Sequence, residues 1–126
     1  MKARKYHNKK VVYEGIEFDS KKECARYKAL LLLEKAGKIS NLRLQVPYEL
    51  IPNIYETELV QLKTKVKEKT RCVQKSVKYV ADFVYKDENG NEVVEDVKGS
   101  LKLLTREYIL KKKMMRAFLG ITIKEV

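Results

Sequence analysis

From Lys78 to Gly99 the chain reads KYVADFVYKDENGNEVVEDVKG, two runs of alternating apolar and polar residues separated by Asn89-Gly90. The period of two fits strands, and Asn-Gly favours the positive-φ turns of tight hairpins, so the segment predicts a β-hairpin. Tyr79, Ala81, Phe83 and Tyr85 alternate with Lys78, Val80, Asp82 and Val84 on its first arm. On the second arm, Glu92 to Lys98, the residues Val94, Asp96 and Lys98 share a face, which sets an acid and an amine about 7 Å apart along the strand. A hairpin this apolar belongs at the centre of a sheet, where charged groups are costly unless paired or metal-bound. Two carboxylates and an amine at that place ask for a reason beyond folding.

Charge narrows the reason. The chain has 126 residues and a formal net charge of +11, and the cations are clustered. Residues 1 to 10 hold five Lys or Arg and no acid, residues 61 to 78 hold seven against one, and residues 101 to 117 hold six against one. A slightly acidic body with three basic blocks suits a polyanionic partner, although any single run could be only a solvated face. The length predicts a single domain over 1–126, with 1–18 a basic N-terminal arm and 55–76 a variable basic insertion. Cys24 and Cys72 are far apart in sequence, which indicates neither a disulfide framework nor a zinc site. His7 is the only histidine, so triads that need a positioned imidazole and nucleases built on several histidines are disfavoured. The longest apolar run, Ala29 to Leu33, is too short for a membrane span, and MKARKYHNKK lacks the apolar stretch of a signal peptide. The expectation is a cytoplasmic protein with no membrane partner.

The remaining elements follow from periodicity and punctuation. Lys9 to Phe18 alternates around Glu14-Gly15, as a small hairpin or an extended arm would. Ser20 is a candidate N-cap for a helix over Lys21 to Ala36, with Cys24, Tyr27, Leu31 and Glu34 along one line, Leu30 and Leu33 close beside it, and Gly37 ending it. Leu42 to Ile51, interrupted by Pro47, predicts an edge or bent strand. Tyr55 to Ser76 reads as an extended basic ribbon feeding the strand at Val77, with a helical turn near Glu58 to Leu62 as the alternative. Thr105 can cap a second helix, Arg106 to Leu119, closed by Gly120, with Tyr108, Met115 and Leu119 inward. Ile121 to Val126 alternates as a final strand. The order is helix, three strands, helix, strand, an α/β fold with a mixed β-sheet flanked by two helices.

Glu23 on the first helix, Asp82 on a strand, Asp96-Val97-Lys98 on the next strand and a basic helix beyond resemble the PD-(D/E)XK nuclease superfamily. More narrowly, YHNKKVVYEGIEFDSKKECARY, LRLQVPYELIP, YVADFVY and VVEDVKG are similar to a family of small bacteriophage proteins described as candidate endonucleases related to Holliday-junction resolvases. The resemblance covers nearly the whole chain apart from Tyr55 to Lys75. It implies a restriction-endonuclease-like core and a metal-dependent endodeoxyribonuclease acting on branched or structured DNA in phage recombination, repair or processing. It also implies a homodimer in the host cytoplasm, because symmetric junction cutting needs two active sites.

Phosphodiester hydrolysis needs charge stabilised on the attacking and leaving oxygens, and Mg²⁺ or Mn²⁺ held by hard carboxylate oxygens supplies it. On this reading Asp82 and Asp96 are metal ligands, the resemblance adds the Val97 carbonyl, Glu23 completes the set or holds a metal-bound water, and Lys98 orients or deprotonates the attacking water. Arg4, Lys9 and Lys10 in the tail, with Lys102, Thr105, Lys111 and Lys113 near the second helix, are the expected phosphate contacts. Plainer readings stand beside these. Ser20-x-x-Glu23 is also a capping box, and Asp96 with Lys98 could be a structural ion pair. Glu95 falls on the face opposite Asp96 and is not expected to be a ligand, although a bulge at this spot would reverse that. The competing functions are a non-catalytic nucleic-acid-binding protein that retains the fold, and a nuclease without structural selectivity.

Overall fold

The computed structural model describes residues 10–98 and 104–126. Two helices pack on a mixed four-stranded sheet, and two small hairpins are added to that core. The first hairpin joins β1 (Val11–Tyr13) to β2 (Ile16–Phe18). Its turn places Glu14 at φ 50° and Gly15 at φ 78°, the left-handed region where glycine carries no Cβ penalty. Phe18 is buried against the helix that follows, so residues 11–18 are a docked hairpin and not a free arm.

Helix α1 (Lys21–Lys35) starts where Ser20 accepts the Glu23 amide through its hydroxyl at 3.1 Å. Its buried residues are Glu23, Cys24, Tyr27 and Leu30. Leu33 and Glu34 are exposed and Leu31 is half-buried, so the inward line runs nearer the helix start than periodicity predicts. Cys24 is a free, buried thiol.

The sheet takes β3 (Ser40–Ile51), β6 (Val77–Lys86), β7 (Glu92–Asp96) and β8 (Lys124–Glu125) in the order β3-β6-β7-β8. The first three run antiparallel to their neighbours, and β8 lies parallel to β7. β3 is an edge strand, as Pro47 requires, and it continues through that proline opposite Val80. The β6–β7 hairpin turns at Asp87 to Asn91, where Asp87 accepts the Asn89 and Asn91 amides and Gly90 adopts φ 81°.

Two apolar clusters clasp the sheet. Phe18, Tyr27, Leu30, Phe83 and Tyr85 pack with α1, while Tyr79, Ala81, Val84, Val94 and Ile123 pack with α2 (Arg106–Leu119). Strict alternation puts Tyr79, Ala81, Phe83 and Tyr85 on one face, but they divide between the clusters, with the exchange at Asp82. Thr105 caps α2 through its hydroxyl, and Gly120 closes it at φ 67°. Tyr108 and Met115 are buried as expected, whereas Leu119 is exposed because Ile121 and Ile123 turn back to fill that space.

Between β3 and β6 stands the second hairpin, β4 (Ile54–Gln61) paired antiparallel with β5 (Val66–Gln74). The extended reading of this segment holds, and the helical alternative at Glu58 to Leu62 is a strand instead. Every residue of β4 and β5 except Val60 is exposed. No helix of the described residues is long and apolar enough to cross a membrane.

Candidate functional site

The β6–β7 ladder ends at Phe83 opposite Glu95, and Asp82 and Asp96 stand one step beyond it. There the Val97 amide donates to the Asp82 carboxylate (Oδ2, 2.8 Å), so a side chain takes the part of a ladder carbonyl. The second acid is held just as firmly. Asp96 accepts the Tyr79 hydroxyl on Oδ2 at 2.6 Å and the Lys98 ammonium on Oδ1 at 2.9 Å. The Val126 amide donates to the Asp96 carbonyl at 3.0 Å and the Lys98 amide to the Val126 carbonyl at 2.8 Å, which fixes the backbone on both sides of Val97.

Lys98 is enclosed from the other side by α2. Its ammonium sits 3.1 Å from the centroid of the Tyr108 ring, a cation–π contact. The Tyr108 hydroxyl donates to Glu125 at 2.7 Å, and Lys112 pairs with the same carboxylate at 3.2 Å. Burial pushes the Tyr108 hydroxyl well above its ordinary pKa, and the hydrogen bond to Glu125 adds to the shift. Tyr79 is raised likewise, by burial first and then by Asp96. Both phenols are therefore neutral donors at physiological pH.

Glu23 arrives from the first turn of α1. Its amide uses the Ser20 cap, while its carboxylate accepts from Gln45 Nε2 at 3.2 Å; the same amide group reaches Asp82 Oδ1 at 3.4 Å. Ser20 thus caps the helix through the Glu23 amide, whereas the Glu23 carboxylate, which a capping box would turn back to the Ser20 amide, is directed to Gln45. Burial raises the Glu23 carboxyl from 4.5 to about 7, with Asp82, Asp19 and Asp96 adding repulsion. Asp82 is also raised, by burial before the Asp96 charge, against a lowering from the Val97 amide. Glu23, Asp82, Asp96 and Lys98, predicted from four separated positions, are thereby brought together.

Nothing in the sequence singles out Gln45. The flanking pairs Leu44 with Phe83 and Val46 with Ala81 put it opposite Asp82, and its φ of 50° kinks the edge strand there. In sequence it is an ordinary polar residue between two apolar ones, which reads as a solvent-facing strand position. Glu95 behaves as the alternation required. It is fully buried on the α1 side, where Arg26 grips it with Nε at 2.8 Å and Nη2 at 2.6 Å and the Tyr85 hydroxyl also donates to it. That carboxylate lifts the Tyr85 hydroxyl, already raised by burial, to about 12.

The expected phosphate contacts fare differently. Arg4, Lys9 and Lys102 lie outside the described residues. Lys10 pairs with Glu17 on the first hairpin at 3.1 Å, Thr105 is occupied as the α2 cap, and Lys111 pairs with Glu107 at 2.8 Å. Lys113 is exposed. A cleft of about 510 Å³ between the first hairpin and α1, lined by Tyr13, Lys28, Leu31 and Glu34, includes none of the clustered acids.

A family model described as "Protein of unknown function (DUF1064)" matches residues 3–120. The chain belongs to the DUF1064 family. No curated protein and no solved structure matches it. Among the described residues, no three His, Cys, Asp or Glu side chains stand in metal-binding geometry. The donor chemistry nevertheless suits a hard divalent cation. Three carboxylates lie close together with one ammonium among them; burial is the main cause that holds Glu23 and Asp82 above their ordinary values, and repulsion from the neighbouring acids adds to it.

Proposed function

We propose that this chain is a metal-dependent endodeoxyribonuclease of the PD-(D/E)XK type, acting on branched or structured DNA as a homodimer. The observation that carries the reading is the convergence of Glu23, Asp82, Asp96 and Lys98 where the β6–β7 ladder ends. The core sequence α1, β3, β6, β7, α2, β8 supports the restriction-endonuclease-like arrangement that the resemblance implies.

Asp82, Asp96, Glu23 and the Val97 carbonyl would hold Mg²⁺ or Mn²⁺. Bound there, the ion supplies Lewis-acid stabilisation of charge on the phosphoryl oxygens. The chain's own groups do the rest. Lys98, held between Asp96 and the Tyr108 ring, presents an ammonium beside the acids, where it can orient a water or neutralise a phosphate oxygen. Tyr79 fixes the rotamer of Asp96, and Gln45 ties Glu23 to Asp82. The neutral phenols keep that shell from adding further negative charge.

One observation favours a second reading. The carboxylate oxygens of Asp82 and Asp96 are engaged by protein donors, a state that also suits a DNA-binding protein that no longer cleaves. Wild type and Asp96→Ala, incubated with labelled junction, duplex and single-stranded DNA in Mg²⁺, Mn²⁺ or chelator, separate the two. Metal-dependent cutting by wild type, reduced at least a hundredfold in Asp96→Ala with binding retained, is the expected result. Binding without cutting of any substrate would sink the enzyme and leave the non-cleaving reading.

A further inference from the structure

The β4–β5 ribbon buries almost nothing, yet an isolated two-stranded hairpin is marginal in water. The cations on it are not scattered. Register puts Lys67 opposite Val60, Lys69 opposite Glu58 and Arg71 opposite Glu56, so three cations project from one face at every second residue. Near the base Arg71 is paired with Glu58 at 3.3 Å. Towards the tip, Lys67 and Lys69 are joined by Lys63 and Lys65 of the turn that the Leu62 amide closes on the Lys65 carbonyl. Among the described residues those four lysines make no ion pair, and all are exposed.

From this geometry we infer that the β4–β5 ribbon is an arm that grips duplex DNA through its lysine-rich tip, away from the acid cluster. The inference rests on DNA being the partner, as proposed above. Two residues of strand advance about 6.7 Å, close to the rise of two nucleotides along one DNA strand, so alternate lysines can follow every second phosphate of that strand. A two-stranded ribbon also fits the major groove, about 12 Å wide. The base of the ribbon, at Val77, is five residues from Asp82, about 17 Å along β6, so the arm binds DNA well outside the bond being cut. Lysines engaged on phosphate give a backbone grip without base-edge readout.

The test is binding of labelled duplex DNA in chelator, by fluorescence anisotropy across a salt series. The full-length Lys63/Lys65/Lys67/Lys69→Gln variant is compared with wild type and with a Lys28/Lys35/Lys38/Lys86→Gln control of equal net charge. The tip variant should lose affinity, and its plot of log K against log salt should become shallower by about 3.6, from roughly 0.9 for each phosphate that is no longer neutralised. The control should change the slope by less than about 1. Equal losses in both variants would overturn the inference, as would unchanged binding by the tip variant. So would a tip variant that binds like wild type while Leu59→Lys, on the other face, breaks up an oligomer by light scattering; the ribbon would then be a self-association arm. Cutting is scored separately. Tip-dependent binding without cleavage removes the nuclease and upholds the arm, whereas cleavage with tip-independent binding does the reverse.

Discussion

Glu23→Gln should make the protein more stable, and by an amount that depends on pH. The folded Glu23 carboxyl is raised from 4.5 to about 7, by burial and by the charges of Asp82, Asp19 and Asp96. Between those values the native state holds a proton that the unfolded chain releases, so stability falls as pH rises. The penalty is absent below pH 4.5 and complete above about pH 7. At 1.36 kcal/mol per pH unit the full shift corresponds to about 3 kcal/mol. Solvent screening at the mouth of the cluster reduces this to about 1.5–3 kcal/mol. For a chain of this length that is about 6–11 °C in Tm. Glutamine keeps the length and an oxygen acceptor for Gln45 while removing the charge. Urea unfolding of both proteins in chelator at pH 5, 6, 7 and 8 should therefore give curves that lie close at pH 5 and separate progressively to pH 8, with the variant above. Parallel curves over that range would refute the electrostatic account of the cluster.

Mg²⁺ should relieve the same repulsion: at 10 mM, with a Kd on the order of 1 mM, wild type gains about 1.4 kcal/mol, or about 5 °C by thermal shift. Asp82→Asn should gain almost nothing. Arg26→Met leaves the buried Glu95 carboxylate without its bidentate partner and should cost about 3–5 kcal/mol in urea unfolding. The Arg26→Met/Glu95→Met double variant should recover most of that loss. Gly120→Ala places a Cβ at φ 67° and should cost about 1 kcal/mol, with the secondary-structure spectrum unchanged.

Much of this architecture is legible in the sequence because its signals are local. Ser20 and Thr105 cap the helices they precede, Gly37 and Gly120 stand at positive φ behind them, and Asn89-Gly90 turns the hairpin. Asp82, Asp96 and Lys98 are visible as charges on apolar strands, and Glu23 through its place in the resemblance. The exchange of faces at Asp82 is not legible, since it depends on helices packing from both sides of the sheet and on the kink at Gln45. Gln45 itself escapes for the same reason: its role comes from register with β6, and no local pattern marks it. Leu119 is misplaced because periodicity cannot know that the chain beyond Gly120 returns to cover the core.

The position of the β4–β5 ribbon has a consequence for how the chain can vary in length. β3 and β6 are antiparallel neighbours, so everything from Pro52 to Ser76 is topologically the loop of a single hairpin. Closing a loop costs only about 0.6 kcal/mol more for each doubling of its length. The ribbon can therefore be lengthened, shortened or exchanged without shifting the register that sets Gln45 opposite Asp82. The acid cluster and the ribbon are two modules joined at one pair of strand ends, and reach can be altered while the chemistry stays in place.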